Sequence, residues 1–243
     1  VITGGAGKIG SAIANKFINE NIEVILLDKN FKNLDVNIKK KCLCIACDLT
    51  NNSQINKALN QILKLFGGID ILIANSGAAF QGSMLNVKKD ILEKSLEVNF
   101  YSHHNIVQKI ANIMVSQGFG GSISLNLSKQ SINPGKDFGP YGIAKASSLF
   151  SMKQYALEFG KYNIRVNGIN ADRIKSGLLT DQFIKERAKA RNMSSTEYLN
   201  HNLLQKQVTA EDVAEAFFAQ LSFEKTTGNI ITVDGGNIEA SLR

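Results

Sequence analysis

Tyr141 and Lys145 stand four residues apart in a stretch with helical spacing, so they share one helix face. A tyrosine with its ordinary pKa of about 10 is a poor base near neutral pH, and a nearby ammonium favours the phenolate. Such a pair can take a proton from an alcohol as hydride leaves its carbon, or return one to an alkoxide. Ser128, thirteen residues earlier at the end of an apolar run, can hydrogen-bond the same oxygen while its charge changes. Of the five tyrosines only Tyr141 has a lysine four residues on, and it is also the one that follows this serine. The combination, rather than the Tyr-x-x-x-Lys pair, is the signal.

A second chemistry lies near the start. Gly4, Gly7 and Gly10 punctuate a turn between the β-type residues Val1-Ile2 and a segment with helical apolar spacing (Ile9, Ala12, Ile13, Phe17). Strand, glycine turn and helix form a phosphate-binding design: the backbone comes close, and the helix N-terminus offers free N–H groups to a pyrophosphate. Asp28 closes the next strand, eighteen residues after Gly10, where a carboxylate can accept hydrogen bonds from an adenosine ribose. That carboxylate would repel a 2′-phosphate, which favours NAD over NADP, although Lys8, Lys29 and Lys32 nearby act the other way.

The elements that must position these residues alternate along the chain. Strands are expected at 22–28, 42–47, 69–75, 121–128, 164–170 and 229–233. Helices are expected over 53–66, 87–117, from 139 onward, and 210–221, with a basic, mostly helical lid insertion at 175–206. Asp48-Leu49 and Asn75-Ser76-Gly77 fall at strand ends. Alternation demands parallel strands joined by right-handed crossovers: α/β, a single Rossmann-type doubly wound parallel sheet with helices on both faces. Ligands in such sheets bind beyond the strands' C-terminal ends, where every candidate collects.

The 243 residues, 44% hydrophobic, suffice for one domain spanning 1–243. There is no proline-rich linker, repeat, signal peptide or bilayer-length apolar run, so no membrane partner is expected. Cys42, Cys44 and Cys47 lack the Cys/His pairing of a zinc site; they read as small core residues on a buried strand of a cytoplasmic protein, with no metal. The net charge of +7 is scattered over helix faces without a nucleic-acid motif, and reads as solvated surface. His103 and His104 lack an acid or nucleophile at a recognisable spacing and read as surface or packing residues.

Taken together, these motifs resemble the short-chain dehydrogenase/reductase family along the whole chain. The resemblance implies that residues 3–10, with Gly4, Gly7, Lys8, Ile9 and Gly10, form the cofactor loop. Asp48-Leu49 would contact adenine, and Asn75-Ser76-Gly77 would stand for Asn-Ala-Gly. Ser128, Tyr141 and Lys145 would be the catalytic triad, with Tyr141 and Lys145 also touching the cofactor. Asn99 would hold a water in a proton relay from Lys145. Val233-Asp234-Gly235-Gly236 matches the C-terminal signature. Two departures stand out: Lys8 replaces the middle glycine, and Ala171-Asp172 replaces Pro-Gly after the sixth strand, which bears on Ile174 and Ser176 as cofactor contacts. The family likeness also implies a homo-oligomer, dimer or tetramer, packed through the helices near 87–117 and 139–161.

A narrower resemblance joins Ser128-Lys129-Gln130, Phe138-Gly139-Pro140-Tyr141, 170–174, 176–180 and 233–238 to the dehydrogenase half of bifunctional sugar aldolase/dehydrogenases, in which a rhamnulose 1-phosphate aldolase precedes a lactaldehyde dehydrogenase. With the abrupt start at Val1, it implies residues upstream, such as a covalently linked aldolase domain. The expected function is NAD-dependent hydride transfer on a small hydroxy compound, polyol or sugar derivative. An epimerase or dehydratase using the same tyrosine, and a non-catalytic NAD-binding module, are the alternatives. Among the lid's cations, Arg173 or Lys175 is the first expectation for binding an anionic substrate, against a plainly solvated lid.

Overall fold

Side chains along the central strands are mostly buried on both faces of one sheet, which is why these strands read as continuous apolar runs. Ile25, Leu27, Leu72 and Ala74 point into one core with Ile55, Ile62, Ile106, Ile110 and Met152. Leu26, Ile73 and Ile169 point into the other with Ile13, Phe17, Val213 and Phe217. The computed structural model describes residues 1–177 and 179–237; Leu178 and Ile238, which fall within motifs quoted above, lie outside the described residues.

Seven parallel strands make the sheet: β1 (Ile2–Thr3), β2 (Ile25–Asp28), β3 (Leu43–Ala46), β4 (Ile71–Ala74), β5 (Gly121–Asn126), β6 (Ile164–Ala171) and β7 (Ile230–Val233), in the order β3-β2-β1-β4-β5-β6-β7. The order reverses between β1 and β4, which opens a crevice at their C-terminal ends. Around the sheet run α1 (Lys8–Asn19), α2 (Val36–Lys41), α3 (Asn52–Phe66), α4 (Lys89–Leu96), α5 (Ser102–Gln117), α6 (Gly139–Phe159), α7 (Asp181–Lys189), α8 (Ser195–Leu199) and α9 (Ala210–Leu221). The doubly wound sheet is the one expected. No helix among the described residues is long and apolar enough to cross a membrane.

Local differences have local causes. The helix expected over 87–117 is split into α4 and α5 by a π turn, Glu97–Tyr101. There the Asn99 side-chain amide donates to the Ser95 carbonyl, taking the acceptor that a regular ladder would give to a backbone N–H. The short helix α2 was not expected; the Asp35 carboxylate caps it, accepting from Asn37 N and Ile38 N. β3 lies at the sheet edge, so Cys42 and Cys44 are half-buried and only Cys47 is enclosed; among the described residues no group of side chains is arranged to hold a metal.

The glycine turn is sterically exacting. Gly4 has φ +62, a left-handed conformation that glycine tolerates best, and a Cβ at Gly10 would run into the Gly4 carbonyl. Gly10→Ala is therefore expected to cost about 1–3 kcal/mol in urea unfolding. A fully stable alanine variant would mean that the turn is looser than described.

Candidate active site

The C-terminal ends of β1, β2, β4 and β5 open onto two adjoining clefts. The larger, of about 780 Å³, is lined by Gly4, Gly7, Lys8, Ile9, Gly10, Asp28, Asp48, Leu49, Asn75, Ser76, Gly77 and Ser176. The smaller, of about 270 Å³, is lined by Ser128, Tyr141, Ile174 and Ser176, among others. Ile9, Ala79, Asn126, Ser176 and Phe183 line both. Of the residues expected to touch cofactor, then, all but three face the larger cleft. Ile174 and Tyr141 face the smaller one, and Lys145 lines neither.

The larger cleft fits a dinucleotide. The N-terminus of α1 opens into it at Gly7, Lys8 and Ile9. The Asp28 carboxylate accepts from Ala6 N at 2.9 Å and Lys29 N at 2.7 Å, so it holds the glycine turn while lining the cleft. Lys29 pairs with Asp48 at 2.9 Å. Partial burial works against the Asp48 charge, but the Thr50 N–H and hydroxyl together with Lys29 outweigh it and hold the carboxyl below its ordinary range.

A chain of hydrogen bonds joins this turn to the helix that carries Tyr141. The Asn75 amide donates to the Thr3 carbonyl (3.0 Å) and the Gly4 carbonyl (3.3 Å). The Asn126 amide donates to Asn75 Oδ1 at 2.8 Å, and Lys145 Nζ donates to the Asn126 carbonyl at 2.8 Å. The buried Thr3 hydroxyl accepts from both Asn75 N and Ser76 N. Asn99, fully buried in the π turn, accepts from Ala78 N and donates to the Ala78 carbonyl, clamping the loop that follows Gly77. Its own carbonyl accepts from Ser148.

Ser128 begins the 3-10 turn Lys129–Ser131, and Tyr141 sits in the first turn of α6, where Pro140 helps start the helix. Lys145 follows one turn on, with its Nζ 5.8 Å from the Tyr141 ring centre. The lysine expected to acidify the phenol is not among the groups that shift it. Burial pushes the Tyr141 phenol up to about 12, against a smaller lowering by its hydrogen bond with Ser128. Burial likewise brings the Lys145 ammonium down to about 8. The chain on its own thus keeps the phenol protonated, ready to donate.

His103, read from sequence as packing or surface, is a buried part of the site. Its Nε2–H donates to the Ser76 carbonyl at 2.6 Å, and its Nδ1 has no hydrogen-bond partner among the described residues. Burial, with Lys145 nearby and against the Ser76 bond, lowers its pKa to about 3. Asp172 was also missed as a participant: it accepts from Lys129 Nζ at 2.9 Å and from the Asn237 amide. Asn126 could have been noticed as a polar residue closing an apolar strand. His103 carried no sequence signal, since its partner is a backbone carbonyl 27 positions away.

The His103 arrangement has a pH consequence. The unfolded chain binds the proton below the ordinary 6.5, the folded chain only near 3, so His103 subtracts stability as pH falls through that window. His103→Gln keeps an amide donor for Ser76 but does not titrate. The stability advantage of wild type over this variant in urea unfolding should shrink between about pH 7 and about pH 4. An unchanged difference would show that His103 is not held neutral.

The chain is similar to known proteins along nearly its whole length. A family model described as enoyl-(acyl carrier protein) reductase matches residues 4–237. The uncharacterized oxidoreductase YuxG of Bacillus subtilis is 31% identical over 97% of this chain, which spans only 37% of YuxG. Among solved structures, 3-ketoacyl-(acyl-carrier-protein) reductase from Brucella melitensis complexed with NADH superposes with a TM-score of 0.86 at 22% identity, covering 97% of this chain and 96% of that one. ElxO with NADP bound gives 0.85 at 23%, covering 98% and 97%. At these identities the structural likeness shows the fold.

Proposed function

This chain belongs to the short-chain dehydrogenase/reductase family, and on that premise we propose that it interconverts an alcohol and a carbonyl compound with Tyr141 as general acid/base. It is an oxidoreductase on an NAD(P)-binding fold. The glycine turn, Asp28, Asp48 and the 75–77 loop would hold a nicotinamide dinucleotide in the larger cleft, and that cofactor would supply the hydride chemistry when bound. The observation that carries the reading is the hydrogen-bond chain from Thr3-Gly4 through Asn75 and Asn126 to Lys145, which sets Tyr141 and Ser128 beside that cleft.

Each residue then has a task. Tyr141 gives its phenolic proton to the substrate oxygen in reduction and recovers it in oxidation. Ser128 steadies the same oxygen as its charge changes. Lys145 places a buried ammonium behind the phenol, which favours the phenolate once the proton has left. The Asn99 carbonyl, which accepts from the Ser148 hydroxyl, is the acceptor that this reading assigns to a water in a relay from Lys145 to solvent.

NAD is the favoured cofactor in this reading. Asp28 lines the cleft, and Lys29, the cation beside it, is paired with Asp48. The substrate is a small hydroxy compound, polyol or sugar derivative, with lactaldehyde and sugar phosphates as its two poles. A linked aldolase domain upstream belongs to the same proposal; YuxG, much longer than this chain, has room for a further unit. A homo-oligomer is supported by exposed Ile143, Phe150 and Leu157, spaced seven apart along α6.

Tyr141→Phe should lower turnover by about a hundredfold or more while NADH binding, followed by fluorescence, persists. Retained turnover would end the acid/base assignment. Asp28→Asn, which keeps an acceptor for Ala6 N–H but removes the charge, should shift the NAD-over-NADP preference toward NADP by about tenfold. An unmoved ratio would place the discrimination elsewhere.

A further inference from the structure

The smaller cleft is strongly basic. Lys129, Lys136, Arg173, Arg187 and Arg191 line it, and Asp172 is the one acid among its described lining residues. Three cations of this region are engaged. Asp172 takes Lys129 at 2.9 Å and Arg173 Nε at 3.6 Å. Arg173 also donates to the Tyr198 and His201 carbonyls and lies over the Tyr198 ring at 4.8 Å, so it clasps the lid to the end of β6. Lys175 pairs with Asp181 at 2.7 Å. The two residues first expected to bind an anion, Arg173 and Lys175, are thus occupied with holding the lid.

Arg187 and Arg191 are placed differently. No carboxylate among the described residues lies within ion-pair distance of either. The Arg187 guanidinium lies over Phe138 at 5.1 Å and Phe183 at 5.0 Å, and donates one N–H to the Lys136 carbonyl at 3.0 Å. Arg191 lies over Tyr198 at 5.6 Å and bonds the Arg187 carbonyl at 3.4 Å. Stacking occupies the faces of a guanidinium and leaves in-plane N–H donors, the geometry that grips a phosphate or carboxylate. Arg187 near the end of α7 and Arg191 in the turn after it are like charges lining one cleft, and an anion between them relieves their repulsion. Phe138 links this end of the cleft to the chemistry: its ring packs edge-on against Tyr141 at 6.2 Å.

We propose that the substrate carries a phosphate monoester at the end remote from the reacting carbon, bound by Arg187 and Arg191 with Lys136 at the rim. The inference rests on the hydride-transfer reading of Tyr141. Three cations converging on one mouth suit a dianion better than a single carboxylate.

The test uses matched pairs with NAD and NADP: sorbitol 6-phosphate against sorbitol, glycerol 3-phosphate against glycerol, and 3-hydroxybutyrate as a carboxylate. The same ligands are titrated calorimetrically, so that binding is read without turnover. Expected is a kcat/KM for the phosphate esters above that of their parents by about tenfold or more, a preference that falls by about tenfold in Arg187→Gln and in Arg191→Gln, mainly through KM. Lys189→Gln, an exposed charge on the same helix outside the cleft, should keep it. Equal use of neutral and phosphorylated alcohols, or a better carboxylate, overturns the phosphate assignment and leaves hydride transfer standing. Arginine-dependent binding of the esters without oxidation of any alcohol supports the anion site and overturns the hydride-transfer reading instead.

Discussion

The arrangement depends on one buried amide. Asn126 sits where β5 ends; its side chain holds Asn75 and its carbonyl holds Lys145. Asn75 in turn holds the carbonyls of Thr3 and Gly4. Three elements far apart in sequence are thereby fixed to one another at a single sheet edge. Buried polar groups of this kind are costly when left unpaired, so the chain favours one mutual placement of glycine turn, central loop and α6. His103 and Asn99 add to the same end, gripping the Ser76 carbonyl and the Ala78 peptide from the helix behind.

Much of this frame can be read from the residues in order. Apolar runs, glycine turns and helical spacing locate the sheet and its crossovers, because those signals are local and repeat over many residues. Gly4, Asp28, Asn75 and Ser128 could be placed because each stands at the end of such a run, and Tyr141 and Lys145 because they are four apart on one helix. Partner choice is harder to see. The Asn99 amide widening its own helix, and His103 selecting a loop carbonyl, depend on what the fold brings near. The direction of the Tyr141 shift was misread for the same reason. A lysine one turn away is expected to dominate, but burial is the largest influence on the phenol and its hydrogen bond with Ser128 is the one that opposes it.

The lid shows how a cluster of charges resolves once its contacts are known. As a list of residues it is simply basic. In place, it has a small core of its own, Ile184, Ala188 and Tyr198, and it is fastened by Arg173, a non-glycine residue with φ +53. Asp172 beside it joins the ends of β5 and β6 through Lys129. The departure from Pro-Gly after β6 therefore has a structural content: it brings in the Asp172 carboxylate, which Lys129 and the neighbouring Arg173 both approach.

The two clefts are neighbours with common walls. Ile9, Ala79, Asn126, Ser176 and Phe183 each present atoms to both. Anything occupying the larger space thus becomes part of the surface that the smaller one offers. Whatever factor one guest imposes on the affinity of the other is returned in equal measure.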